Sequence, residues 1–333
     1  MRKKFVHTYQ DIISPENLLL AWKEFIKGKR NKKDVQEFQV RLMDNILELN
    51  RDLMALTYQH GKYKAFNIND PKPRNIHKAL VRDRLLHHAL YRVLYPFFDK
   101  TFIADSFSCR LEKANHKAIK RFRCFANKVS KNRRKTMFIL KCDIRKFFAS
   151  VDQQILMTIL KYYISDRYIL SLLSNIISSF SSTKENVGLP LGNLTSQLFV
   201  NIYMNEFDQF VKHKLKVKYY IRYADDFVIL SNEKIFLQNL IPKISRFLSE
   251  NLSLSLHPDK VFIKTLASGT DFLGWIHFSD HRVLRKSTKN RMFKKLAGNS
   301  TAETLASYRG LLKHGNTQKL RKILDSVAQN PVL

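Results

Sequence analysis

The run YYIRYADDFVIL, residues 219–230, sets two adjacent carboxylates, Asp225 and Asp226, inside a segment that is otherwise apolar or aromatic except for Arg222. Strand-forming residues flank the pair on both sides, so the pattern predicts a hairpin with the acids near its tip. The tip is not an Asn-Gly turn. By itself an Asp-Asp pair is an ordinary turn signal, since Asp side chains readily bond to the backbone of turns. Its meaning depends on the rest of the chain.

The chain has 333 residues, 44% of them hydrophobic, enough for a large core divided among two or three subdomains. Lysine and arginine number 59 against 28 acids, a net charge of +31 spread from Arg2 to Arg321 with no detachable tail. Such a surplus calls for a polyanionic partner, and nucleic acid is the first candidate, because each neutralised phosphate releases condensed counterions. A membrane is the weaker rival. The sequence holds no apolar run of about 18 residues, and its first ten residues, MRKKFVHTYQ, lack a signal-peptide core. No membrane is expected, and the expected compartment is the cytoplasm. Cys109, Cys124 and Cys142 are odd in number, with no Cys-x-x-Cys pair, which fits reduced thiols and supports neither zinc nor a disulfide framework. His87 and His88 lie among Leu86, Leu90, Val93, Leu94 and Phe97 at helical spacing, so they are expected to help cover a helix.

Residues 14–60 read as mainly helical, with Ser14 as N-cap and Pro15 in the first turn. Residues 63–75 are strand-like and basic, 79–99 helical, and 113–135 helical and rich in Lys and Arg. A short apolar strand, Met137 to Leu140, ends in Lys141-Cys142-Asp143, after which Ile144 to Ile159 turns helical. Helices over 160–178, 194–215 and 233–251 surround the Asp-Asp hairpin. Strands follow near Val261, Phe272 to Trp275 and Val283, and the last fifty residues are basic and helical. This order predicts an α+β layout around an antiparallel sheet, not alternating βαβ units.

Asp143 sits where a core strand leaves the core. If that strand neighbours the hairpin in one sheet, three carboxylates converge on one edge, and they repel unless compensated. Mg²⁺ suits such a set, because it prefers carboxylate oxygens together with phosphates and water. Two ions about 3.5–4 Å apart assist in-line phosphoryl transfer. A charged sheet edge facing solvent is the plain alternative.

Tyr223-Ala224-Asp225-Asp226 between apolar strands resembles the YxDD signature of reverse transcriptases, and Asp143 in LKCDIRKFFASVD resembles their first catalytic-aspartate motif. Further matches follow in order: residues 70–76 (DPKPRNI) resemble the fingers motif, GLPLGNLTSQ at 188–197 the fourth motif, LSLSLHPDK ending at Lys260 the motif after the active site, and FLGW at 272–275 the primer-grip region. The resemblance implies a right-hand polymerase fold. N-terminal helices and fingers would occupy 1–136, the palm 137–275 with 160–200 partly fingers, and a small helical thumb 276–333.

It also implies roles. Asp143 and Asp225 would bind two Mg²⁺ ions, with Mn²⁺ as a substitute, Asp226 as a weaker ligand and the Ile144 backbone carbonyl as a further oxygen. Phe148 would underlie the sugar and exclude a ribose 2′-hydroxyl, unless it is a core aromatic and the adjacent Phe147 faces the site. Arg74 would contact the triphosphate, a task suited to a planar fork of donors, with Lys72, Arg82 and Arg84 as vaguer candidates. Lys260 would give a proton to departing pyrophosphate, which needs a site that tunes an amine of ordinary pKa near 10.4. Gly192 and Gln197 lie beside Leu191 in the nucleotide-facing fourth motif.

That motif, Leu191-Gly192-Asn193-Leu194-Thr195-Ser196-Gln197, resembles the apolar-Gly-x-x-x-Ser-Gln pattern of diversity-generating retroelement reverse transcriptases. Those enzymes make adenine-mutagenic cDNA from a template RNA, with dNTPs as substrates and a pentameric basic accessory protein as partner. Leucine at 191 replaces a hydrogen-bonding amide beside the templating pair, which implies looser geometric selection. Alternatively, Leu191 merely packs against the nucleotide. The tail LASYRGLLKHGNTQKL also resembles this group, and the 58 residues after Trp275 are expected to suffice for a thumb but not a further endonuclease domain. Basic residues Lys128, Lys131, Arg133, Arg134, Lys135, Arg285, Lys286, Lys289, Arg291, Lys294 and Lys295 are candidates for RNA binding. A defence-associated or group II intron-like reverse transcriptase is the first alternative, and a non-catalytic RNA-binding scaffold the second.

Overall fold

The computed structural model describes residues 3–69, 73–298 and 301–329. Its first part is a layer of helices, α1 (Tyr9–Ile13), α2 (Pro15–Phe25), α3 (Lys33–Val40), α4 (Leu42–Met54) and α5 (Val81–Asp99). Between α4 and α5 the chain forms an antiparallel hairpin of β1 (Lys64–Ile68) and β2 (Arg74–Lys78). Ser14 caps α2 by accepting from the Asn17 N–H, and Pro15 opens the helix where its missing N–H costs nothing. Leu18, Ala21, Trp22 and Phe25 recur at helical spacing and are buried where α2 packs on α5.

α6 (Asn115–Val129) leads into β3 (Phe138–Asp143). The helix expected to run from Ile144 is instead interrupted. Lys146 adopts a left-handed conformation ahead of the short α7 (Phe147–Ser150), and α8 (Gln153–Tyr163) starts only after Asp152, whose carboxylate accepts from the Gln154 and Ile155 N–H groups. Asp166 caps α9 (Arg167–Ser178) in the same way. Then come α10 (Leu194–Gln209), β4 (Tyr220–Tyr223), β5 (Asp226–Ser231), α11 (Lys234–Leu252) and β6 (Phe262–Thr265).

β4, β5, β3 and β6 form, in that order, an antiparallel sheet in which β4, β5 and β3 are buried on both faces and the edge strand β6 is only half-buried. Alternation sends Leu140, Cys142, Phe227 and Ile229 into the main core, which also holds buried residues of α10 and α11. Ile139, Val228 and Leu230 point the other way, into a second core with Phe122, Phe125 and Ala126 of α6. The chain closes with a small sheet, β7 (Thr270–Phe272), β8 (Trp275–His277) and β9 (Arg282–Leu284), and with α12 (Lys286–Gly298), α13 (Ala302–Leu312) and α14 (Gln318–Gln329). Trp275 centres this unit beside Leu284, Met292 and Leu312. At Gly315 an added Cβ would lie 2.0 Å from the Trp275 ring, so only glycine fits. A palm–thumb division at 275/276 would cut β8, which is hydrogen-bonded on both sides.

Helix and antiparallel sheet are therefore combined in the expected α+β fold. Among the described residues, no helix is long and apolar enough to cross a membrane. All three cysteines are free thiols. His87 does more than cover a helix: it is fully enclosed, its Nε2 3.2 Å from that of His60.

Candidate active site

β3 ends at Asp143 and β5 begins at Asp226, and the two residues are direct partners in the ladder. Alternation puts Lys141, Asp143 and Asp226 on the same sheet face as Ile139, Val228 and Leu230, at the end away from those apolar residues that pack with α6. Asp225 occupies the two-residue turn with Ala224, whose φ of 55° is left-handed. Arg222 steadies that turn by donating to the Ala224 carbonyl at 3.1 Å. The Arg222 guanidinium is fully buried and donates to both carboxylate oxygens of Asp208 on α10, at 2.8 and 2.7 Å.

Backbone bonds tie the three acids together. The Ile144 N–H donates to the Asp225 carbonyl at 3.2 Å, and the His257 N–H donates to the Asp143 carbonyl at 2.7 Å. The second bond draws the 252–260 segment against the end of β3. Lys260 Nζ then donates to Asp143 Oδ1 at 2.9 Å, while Lys141 Nζ donates to Asp226 Oδ2 at 2.8 Å. Asp226 Oδ1 is buried with no hydrogen-bond partner. Burial pushes the Asp226 carboxyl up to about 6 despite Lys141, and burial with the nearby Asp143 charge also raises Asp225. The site is short of positive charge even with its two lysines. Among the described residues, no group of three His, Cys, Asp or Glu side chains is arranged to hold a metal ion unaided.

The remaining predicted residues approach from the side of the β1–β2 hairpin. Arg74 is the exposed first residue of β2, and its charge acts on Asp225. The His77 N–H of β2 donates to the Leu191 carbonyl at 3.0 Å, and Asn193 Nδ2 donates to the His77 carbonyl at 2.8 Å. Gly192 has φ 109°, and an added Cβ would lie 2.8 Å from Ile76. On the other side of this loop the Leu189 N–H donates to the Phe148 carbonyl at 2.8 Å. The 188–193 loop thus joins the β1–β2 hairpin to the turn after Asp143. Phe147 is buried in the core and Phe148 is half-buried, its ring edge-on to Phe147. Leu191 and Gln197 are half-buried, Gln197 in the first turns of α10. Arg82 and Arg84 are paired with Asp52 and Asp34. Lys72 lies outside the described residues.

Sequence reasoning missed Lys141 and the Arg222–Asp208 pair. A lone arginine in an apolar strand was the available signal for the pair, since a buried guanidinium needs a carboxylate. Nothing in the pattern pointed to Lys141, whose pairing depends on strand register.

Residues 68–277 match the profile described as reverse transcriptase (RNA-dependent DNA polymerase). Protein YkfC of Escherichia coli is 25% identical over 292 residues, covering 75% of this chain and 74% of that protein. The group II intron-encoded protein LtrA of Lactococcus lactis is 22% identical over 306 residues, 71% of this chain, and a putative COX1/OXI3 intron 2 protein of Saccharomyces cerevisiae is 19% identical over 276 residues, 65% of this chain. The chain spans only 49% and 30% of those two relatives. Among solved structures, apo telomerase from Candida tropicalis, truncated from its C-terminal domain, superposes with a TM-score of 0.51 at 14% identity, covering 68% of this chain and 55% of that one, a likeness of fold. With its paired strand-end aspartates and a profile match over most of its length, the chain belongs to the reverse transcriptase family of RNA-dependent DNA polymerases.

Proposed function

We propose that this chain copies an RNA template into DNA by nucleotidyl transfer at Asp143, Asp225 and Asp226. The observation that carries this reading is the direct pairing of Asp143 with Asp226, with Asp225 in the adjoining turn. Divalent metal fits these residues, because the buried Asp226 Oδ1 has no partner and two of the three acids are held above the usual carboxylate range. Asp143 and Asp225 would hold Mg²⁺ or Mn²⁺, with Asp226 and the Ile144 carbonyl as further oxygens. When bound, the metal pair supplies charge neutralisation and polarisation of phosphate oxygens. Arg74 binds the triphosphate as a fork of donors. Lys72, two residues before it, is a second cation for the same phosphates. Phe148 lies under the sugar and crowds a 2′-hydroxyl. Leu191 and Gly192 form the nucleotide's floor near the templating pair, with Gln197 behind them. Lys260 leaves Asp143 to give its proton to pyrophosphate. Primer extension on an RNA template with Mg²⁺ tests the mechanism: it predicts loss of incorporation in Asp225→Ala, unchanged incorporation in that variant would eliminate the mechanism, and no incorporation by the parental chain would favour a binding scaffold.

For the subtype, we favour adenine-mutagenic cDNA synthesis from a retroelement template RNA in the bacterial cytoplasm, with a pentameric basic accessory protein as partner. Leu191 supports this, being an apolar side chain whose backbone is tied to the fingers hairpin at the nucleotide's side. An intron-type enzyme is the second reading, supported by the names of two relatives. Sequencing the cDNA made on a template of all four bases separates them. Errors concentrated at adenines, and reduced in Leu191→Gln, fit the first reading; errors spread evenly fit the second.

A further inference from the structure

Arg133, Arg134 and Lys135 line a cavity of about 260 Å³ between the α6–β3 connection and the turn after β6, with Ser130, Thr265 and Ser279 adding hydroxyls. No carboxylate is among its lining residues. Among the described residues, none of the three cations has an ion-pair partner, whereas Arg121, Arg285 and Arg309 are paired with Asp105, Asp271 and Asp325. Three uncompensated cations around hydroxyls suit an oxyanion.

The backbone is shaped for this display. Lys131, Asn132 and Arg133 take φ of 48°, 55° and 72°, three consecutive left-handed residues without a glycine. Side chains disfavour that conformation, and such strain persists where the surroundings hold it in place, often at binding sites. Here Asn132 N–H donates to the Asn127 carbonyl at 2.8 Å and Arg133 N–H to Ser130 Oγ at 3.0 Å. These bonds end α6 and bring Arg133 and Arg134 to the cavity.

Met137, which immediately precedes β3, lines the cavity, and Asp143 ends that strand, six residues and about 20 Å away at 3.3 Å per residue. A phosphate bound here belongs to nucleic acid outside the catalytic cleft. We propose that the cavity grips the phosphate backbone of a structured RNA, so that the chain holds its RNA at a second point while the cleft engages primer and template. Helical RNA fits, because it is recognised through phosphates and 2′-hydroxyls, which cations and hydroxyls together can meet. The proposal rests on the RNA-directed reading above for the identity of the polyanion.

Fluorescence anisotropy with a labelled RNA hairpin, across a salt series, tests it. The variant R133A/R134A/K135A is predicted to lose about tenfold or more in affinity and to lower the log–log salt slope by about 2–3, as two or three phosphate contacts are lost. The charge-matched variant K27A/R30A/K32A, which removes exposed cations of the α2–α3 connection, should change little. Primer extension on a pre-annealed oligonucleotide should keep its rate in both. Equal losses in the two variants, or parental hairpin affinity in the first, overturn the proposal; the second result would direct attention to an acidic protein as occupant. Should the triple variant fail to fold by circular dichroism, R134A/K135A carries the same prediction with a slope change of about 1–2. Failure here is separable from failure of the polymerase reading, which depends on Asp225→Ala alone.

Discussion

Lys260 and Asp143 lie 117 positions apart in sequence, yet Nζ meets Oδ1 at 2.9 Å because the His257 N–H anchors the 252–260 segment to the Asp143 carbonyl. The amine is thereby held at the site, although 41% of its side chain remains exposed.

If that lysine donates the proton to pyrophosphate, Lys260→Ala should lower kcat by about 10²–10⁴, the usual worth of general-acid catalysis, with a smaller change in KM for dNTP. Lys260→Arg should keep the ion pair but not the rate, because a guanidinium does not give up its proton. Single-turnover incorporation measures this, and a parental kcat in Lys260→Ala would remove the residue from the mechanism.

Phe148 is the aromatic of its pair that is not sunk in the core. Trimming it to valine should open space for a 2′-hydroxyl and raise the kcat/KM of ribonucleotides relative to deoxynucleotides by about 10–200-fold, the range that one small group's fit in a pocket commands. Competition between rCTP and dCTP reads the ratio. An unaltered ratio would assign sugar discrimination elsewhere.

Arg222 and Asp208 form a fully buried ion pair beneath the Ala224–Asp225 turn. Arg222→Met strands a carboxylate in the core and should cost about 3–5 kcal/mol, whereas Arg222→Met with Asp208→Leu should recover much of it. Urea unfolding midpoints distinguish the two. A double variant as unstable as the single one would mean that the Arg222 bonds to Ser106, Asn201 and Ala224 matter more than the charge pair.

Burial holds His277 and His88 near 4, and His87 well below the ordinary imidazole value. The native state stays neutral where the unfolded chain, with pKa about 6.5, begins to bind protons. Stability is therefore whole above that value and is lost as pH falls from about 6.5 toward 4, with His277 alone contributing about 3 kcal/mol of loss by the lower end. Thermal melts at stepped pH should show the midpoint falling through this window. A midpoint flat from about pH 7 to 5 would contradict neutral burial of these rings.

Much of this was legible in the linear chain because it is written in local periodicity. Ser14-Pro15 marks a helix start, and the Tyr219–Leu230 run marks a hairpin. The ordered motifs from residue 70 to 275 identify the family. The break after Ile144 was not legible, because Asp152 as a cap competes with an apolar pattern that would otherwise continue as helix.

Taken by itself, the sequence determined the class of partner, through its charge, and the identity of the acids, through strand-breaking carboxylates in apolar runs. Only the tertiary structure decided which groups answer those charges. That Lys141 meets Asp226, Lys260 meets Asp143 and Arg222 meets Asp208 follows from strand register, from the backbone bond that anchors the 252–260 segment to Asp143, and from the packing of α10 under the sheet. The reason is physical: the period of a strand or helix is a property of neighbouring residues, whereas an ion pair between distant residues exists only once the backbone has brought them within about 4 Å.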